Sequence, residues 1–240
     1  MAGRVKGTAV AASARFVREK FGQASPTRLL AALPADDRAL FDAGILASAW
    51  YSVDLLLRFM QEGERQLGGA DLAVVQNMGR ASAEYGLSTV YKIFFKVGTP
   101  EFIITRAARI YGSYYDSGQL VIDARPGREV AEIPGFEGSA PQFCARIYGW
   151  MTRILELTGA KNLRTAHILC VHRGDALCRW EGVWDPQKRS RIAFGPIQLI
   201  LACERGSLEA LRYYLKQLGR DGVSLSRSRS RAVFHANAPL

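Results

Sequence analysis

Leu163-Arg-Thr-Ala-His167-Ile-Leu-Cys170-Val-His172-Arg173-Gly174-Asp175-Ala-Leu-Cys178-Arg-Trp180 reads as two short β-prone runs folded about an Arg173-Gly174-Asp175 turn. A hairpin there brings the thiols of Cys170 and Cys178 together, and the run holds two of the chain's three histidines. A third cysteine, Cys144, lies on the helical segment just upstream. Thiolate and imidazole are the donors Zn²⁺ prefers, and four of them close a structural site. Strand alternation puts Cys170 and His172 on one face and His167 on the other, so spacing favours His172 as a ligand unless a bulge falls near Ile168 or Leu169. The competing reading is of buried free cysteines packed as small apolar side chains.

Working outward, Ser139–Leu157 is helical and ends at Gly159, and before it Leu120–Ala124 and Glu129–Ile133 alternate like strands about an Arg125-Pro-Gly-Arg128 turn. The first half is mostly helical. After a leading strand at Val5–Val10, helices are expected at Ala11–Phe21, from Ser25-Pro26-Thr27, at Asp36–Phe41, from near Ser48 to Gly68-Gly69, and at Asp71–Tyr85, Ser88–Val97 and Pro100–Tyr115. Helices followed by strand, strand, helix, strand, strand predict an α+β domain: an antiparallel sheet with a long helix packed on it.

The chain has 240 residues, 48% hydrophobic and 22% charged, enough for one sizeable core plus an appendage. No apolar run reaches the roughly 20 residues of a membrane span, and no secretory h-region follows Arg4 and Lys6, so a cytoplasmic protein is expected. Of the net charge of +10, +7 lies beyond Pro186, where ten Lys or Arg face three acids. The Ser-Arg alternation of Ser224–Arg231 has the composition of a solvated tail, and no specific nucleic-acid contact is expected. The expected organisation is a domain at 1–184, a linker at 185–195, a helical hairpin at 196–219 and a basic disordered tail at 220–240. In the hairpin, Leu199–Leu215 is similar to one ankyrin-type unit, and Cys203 is a packing residue.

Cys170-Val-His-Arg-Gly174-Asp175-Ala-Leu-Cys178-Arg-Trp180 resembles the cysteine, glycine-aspartate, cysteine, aromatic ending of 4-vinyl reductase domains. These are sensory modules of phenol-responsive transcriptional activators, related in fold to haem-NO-binding domains and to vesicle transport-particle subunits. Upstream, Lys6-Gly7, Phe16-Val17-Arg18 to Gly22, Leu33-Pro34 to Arg38, Gly44-Ile-Leu46 to Trp50-Tyr51, and Pro100-Glu-Phe102 to Tyr114-Tyr-Asp-Ser-Gly118 resemble an uncharacterised myxobacterial family that ends in the same domain. The likeness runs from about Val5 to Trp184. It implies a structural zinc held by Cys144, His167, Cys170 and Cys178, with His167 where the phenol-sensing relatives carry glutamate. On this reading His172 is an ordinary loop-edge histidine.

The same resemblance implies a pocket for a small apolar or aromatic ligand between helices and sheet. Trp50, Tyr51, Tyr91, Phe94, Phe95, Phe102, Tyr111, Tyr114, Phe143 and Trp150 either line it or form plain core, and taken singly each reads as core. Glu84, Glu101 and Glu156 are catalytic candidates only if buried together, and no Ser-His-Asp, P-loop or dinucleotide-binding signature occurs, so no enzyme is expected. Two functions remain. One is a non-catalytic sensor of a small hydrophobic ligand, marked by a pocket with converging polar groups. The other is a dimerisation or docking scaffold, marked by an exposed apolar patch.

Overall fold

Strand β1 (Arg4–Lys6) pairs antiparallel with β2 (Trp50–Ser52), and α1 (Gly7–Phe21) follows β1 directly. The strand expected over Val5–Val10 stops at Lys6, because the alanine-rich run that follows is better suited to a helix and buries Ala9, Val10, Ser13 and Val17 as one stripe. The helix expected from Ser48 begins later. Trp50 and Tyr51 take the extended backbone that aromatics favour, and the Ser52 hydroxyl accepts from the Asp54 N–H at 3.2 Å to cap α4 (Val53–Leu67). Short helices α2 (Ala24–Ala31) and α3 (Ala35–Asp42) flank Pro34. Then come α5 (Ala73–Tyr85), α6 (Pro100–Tyr114) and α7 (Pro141–Leu157), the last two with proline in the first turn.

The computed structural model describes residues 3–68, 71–86, 99–134, 140–186, 199–201, 223–228 and 231–236. The helix expected at Ser88–Val97 lies outside them. The chain divides into two units, Met1–Gln187 and Lys188–Leu240.

In the first unit, β3 (Val121–Arg125), β4 (Arg128–Ile133), β5 (Arg164–Leu169) and β6 (Cys178–Val183) form an antiparallel sheet of order β3-β4-β6-β5. The fold class is the expected α+β. One sheet face is buried through Ala131, Ile133, Cys178 and Trp180, and the other carries the ion pairs Arg179–Glu132 and Arg128–Glu181. Helix α7 meets the inner face at Leu155, beside Gly182, and at Cys144, beside Cys178. Its other side crosses α5 at two glycine notches, where a Cβ on Gly79 would stand 2.0 Å from the Arg146 carbonyl oxygen and one on Gly149 2.0 Å from that of Gln76. This close crossing positions α7 over the sheet. Phe59, Phe143 and Trp180 are wholly buried in the main core, each contributing about 2–3 kcal/mol.

In the second unit, β7 (Leu199–Leu201), β8 (Val223–Ser228) and β9 (Arg231–Ala236) form an antiparallel sheet of order β7-β9-β8. Two expectations are corrected here. Leu199–Leu201 is a strand, not the start of a helical hairpin, and the remainder of 196–219, Cys203 included, lies outside the described residues. The tail expected to be disordered contains two paired strands. The Ser-Arg alternation that reads as low complexity is also a period-two pattern, and Val233-Phe234 supplies β-prone residues opposite it. Of the expected linker, Asp185 is fixed to the first unit by its N–H donating to the Lys161 carbonyl at 2.9 Å and its carboxylate accepting from Asn162 at 2.7 Å.

Candidate metal centre and adjoining cleft

Three elements deliver the four candidate ligands. Cys144 lies in the first turns of α7, His167 on β5, Cys170 at the end of β5, and Cys178 at the start of β6. Between the last two, Val171–Arg173 forms one 3₁₀ turn, and Gly174 takes φ +92°, a left-handed backbone that favours glycine. The knuckle is tied down. Asp175 accepts from the Cys170 N–H at 2.7 Å, the Cys170 carbonyl accepts from the Arg173 and Asp175 N–H groups at 2.8 and 3.2 Å, and the Arg173 guanidinium donates to the carbonyls of His167 and Ile168 at 3.0 Å each.

The pairing of β5 with β6 decides which histidine belongs. His167 faces Trp180 and Leu169 faces Arg179, so Ile168 is an extra residue without a cross-strand partner, 47% exposed. This bulge reverses the alternation beyond it and turns His167 and Cys170 to the same side. The ring of His167 stacks on Trp180 with centroids 4.8 Å apart and planes at 13°. His172 is exposed on the 3₁₀ turn, outside the cluster.

Cys144, His167, Cys170 and Cys178 bring their ligand atoms within 4.8 Å of one another. The Cys144 sulfur is 3.5 Å from that of Cys178 and 4.0 Å from that of Cys170, too far for a disulfide. Two thiolates at 2.3 Å from one tetrahedral zinc are about 3.8 Å apart, so the separations bracket what that ion imposes. The three sulfurs are buried, and the His167 Nε2 is buried with no hydrogen-bond partner. Burial, aided by the Arg173 charge and opposed by a backbone hydrogen bond at Leu169, lowers the His167 pKa to about 4, leaving a neutral ring with a free lone pair. Burial also pushes the thiols of Cys144 and Cys178 upward, with their neighbouring sulfurs adding to the effect on Cys144. A divalent cation reverses that penalty by stabilising the thiolates. The cluster can therefore hold a metal ion.

Where α7 meets α5 and α6 there is a small cleft lined by Ser82 of α5, Tyr111 and Tyr114 of α6, Tyr115, and Arg146, Ile147 and Trp150 of α7. It is open on one side, and its closed part holds about one small ion or a water molecule or two. Arg146 is only 2% exposed. It was missed from the sequence, although an arginine on the apolar stripe with Phe143, Ile147 and Trp150 is a visible signal. Glu129, 2% exposed on the inner face of β4, was missed in the same way. Among the catalytic candidates, Glu84 and Glu156 both pair with Arg153, and Glu156 also with Arg80. Of the exposed large hydrophobics, Val121, Ile168 and Val183 lie on strands of the sheet whose outer face carries ion pairs. Among the described residues, no helix is long and apolar enough to cross a membrane.

No protein-family model and no curated protein matches the sequence. Solved structures do. An H-NOX protein from S. oneidensis in the Fe(II)NO ligation state superposes with a TM-score of 0.58 at 15% identity, covering 76% of this chain and 99% of that one. The Fe(II) unliganded H-NOX protein from K. algicida gives 0.56 at 9% identity, covering 76% and 97%. The fold is thus haem-NO-binding-like, and at these identities the likeness is one of fold alone.

Proposed function

We propose that the first unit is a non-catalytic sensory domain for a small apolar or aromatic ligand, its sheet locked to α7 by a structural zinc on Cys144, His167, Cys170 and Cys178. The observation that carries this reading is the meeting of three sulfurs and one unpartnered imidazole nitrogen at the spacing of a tetrahedral zinc site. Four protein ligands leave the ion no open position for water or substrate, so its role is to hold the fold. The motif resemblance to 4-vinyl reductase domains supports the same ligand set and the small-molecule role. The carboxylates at Glu84 and Glu156 are engaged by arginines, which argues against their use as acid and base.

The H-NOX structures are of Fe(II) proteins. The residues of this chain do not fit a haem among those described. No histidine, cysteine or methionine lines the cleft, its Tyr111 hydroxyl donates to the Ser117 carbonyl, and its Tyr115 hydroxyl accepts from Arg146. The space between α4, α7 and the sheet is filled by Phe59, Phe143 and Trp180.

Native mass spectrometry with elemental analysis of the purified protein tests the proposal. One zinc per chain, together with ligand-dependent melting against a panel of phenols and related small aromatics, is expected. A chain that neither carries zinc nor takes it up after reduction sinks it.

A further inference from the structure

Arg146 carries a buried charge that no carboxylate among the described residues neutralises. Among the described residues it joins no ion pair. Its Nη1 donates to Ser13 Oγ at 2.9 Å, its Nη2 to Ser82 Oγ at 2.7 Å and to the Ala9 carbonyl at 3.3 Å, and its Nε to the Tyr115 hydroxyl at 3.3 Å. All four acceptors are neutral. Buried arginines are as a rule paired, because desolvating an uncompensated charge costs several kcal/mol.

The protons on Ser13, Ser82, Tyr115 and Arg146 define the kind of group that suits the cleft. The hydroxyls of Ser13 and Ser82 spend their protons on the Ala9 and Met78 carbonyls, both at 3.0 Å, so each is locked as an acceptor toward Arg146. The Tyr115 hydroxyl accepts from Nε, and its own proton has no acceptor among the described residues. A guanidinium has five N–H groups, of which these contacts use four. What remains on these two cleft-lining residues is one Nη1–H, one phenolic O–H and a positive charge. The group that completes this arrangement accepts hydrogen bonds and bears one negative charge.

We propose that the cleft binds a monovalent anion the size of chloride or a carboxylate head group, with Arg146 as its counter-charge and Tyr115 as a second donor. Two spare donors suit one or two acceptor atoms and fall short of what a phosphate needs. The anion comes either as a free ion or as the carboxylate of an aromatic acid whose ring packs on the Tyr114 and Trp150 rings that help line the cleft. This deepens the sensory reading, on which it rests, by giving the ligand a charge.

The test is calorimetric titration and thermal melting of the zinc-loaded 240-residue chain in chloride-free buffer. The probes are sodium chloride, sodium formate, sodium benzoate and, as neutral controls, benzamide and phenol. Saturable stabilisation by formate and chloride alike identifies a free ion, and stronger stabilisation by benzoate identifies an organic acid; either supports the site. Arg146→Met, which replaces a buried charge by an apolar chain of similar length, is expected to keep its zinc and lose at least tenfold in anion affinity. Tyr115→Phe, which removes only the hydroxyl, is expected to lose about threefold to tenfold and decides the matter should R146M fail to fold. The proposal is overturned if no anion stabilises the wild type, if benzamide matches benzoate, or if Y115F binds undiminished. Stabilisation by phenol alone leaves the sensory reading standing and removes the anion.

Discussion

Glu129 faces the core from β4 with its Oε2 unpartnered, and burial alone raises its pKa to about 8 from an ordinary value near 4.5. The folded chain therefore holds a proton that the unfolded chain releases between those two pH values. The stability this group permits is full below about pH 4.5 and drains away as pH climbs through 8. Glu129→Met, which keeps the length and removes the charge, is expected to raise Tm at pH 8 by the equivalent of on the order of 4 kcal/mol and to change it little at pH 5. Melting curves at the two pH values check it, and an equal shift at both would place the effect in packing. The two histidines of the knuckle give a second contrast at this scale. His167→Ala is expected to weaken zinc binding tenfold or more in a chelator competition, and His172→Ala to leave it unchanged. Loss of metal from the His172 variant alone would mean that β5 runs without its bulge. The bulge is where sequence reasoning stopped: alternation is a rule for regular strands, and nothing in Ala-His-Ile-Leu announces that Ile168 stands outside the ladder. The family resemblance chose His167; the spacing alone chose His172.

At the scale of elements, the antiparallel hairpin at Arg125–Arg128, the helix opened by Pro100 and the helix stopped before Gly159 were legible, because proline and glycine act through local sterics that need no tertiary context. The first strand and the helix start near Ser48 were misplaced, because β1 and β2 stabilise each other across a separation of more than forty residues, which no local pattern records. The α5–α7 crossing was equally invisible: a glycine within a helix looks like a weakness until the facing backbone is known. Gly79→Ala and Gly149→Ala each drive a methyl to 2.0 Å from a carbonyl oxygen, and the helices must part to relieve it. Each is expected to cost about 3 kcal/mol in urea denaturation. Gly112→Ala on α6 meets nothing within 4 Å and should gain about 0.5–1 kcal/mol by helix propensity. A uniform response of the three variants would refute the notch.

Across the molecule, the ligands are unevenly distributed, and that predicts what metal removal does. Every candidate ligand belongs to the stretch from α7 to β6, and none to α1–α6. The core is built differently: Val5, Val10, Leu56, Phe59 and Met78 come from the first half and need no ion to pack. An ion held by these residues would close the end of the sheet where β5 and β6 turn about the knuckle, a short and largely hydrogen-bonded segment with little apolar surface of its own. Removing it with a strong chelator under reducing conditions is expected to lower Tm by about 10 °C, the equivalent of roughly 3–5 kcal/mol for a chain of this size. Hydrogen exchange should then accelerate in Arg164–Val183 and the first turns of α7 while α1, α4 and α5 keep their protection. Loss of protection throughout would make the ion a condition of folding for the whole unit; no change anywhere would mean that the three thiols and the imidazole pack without it.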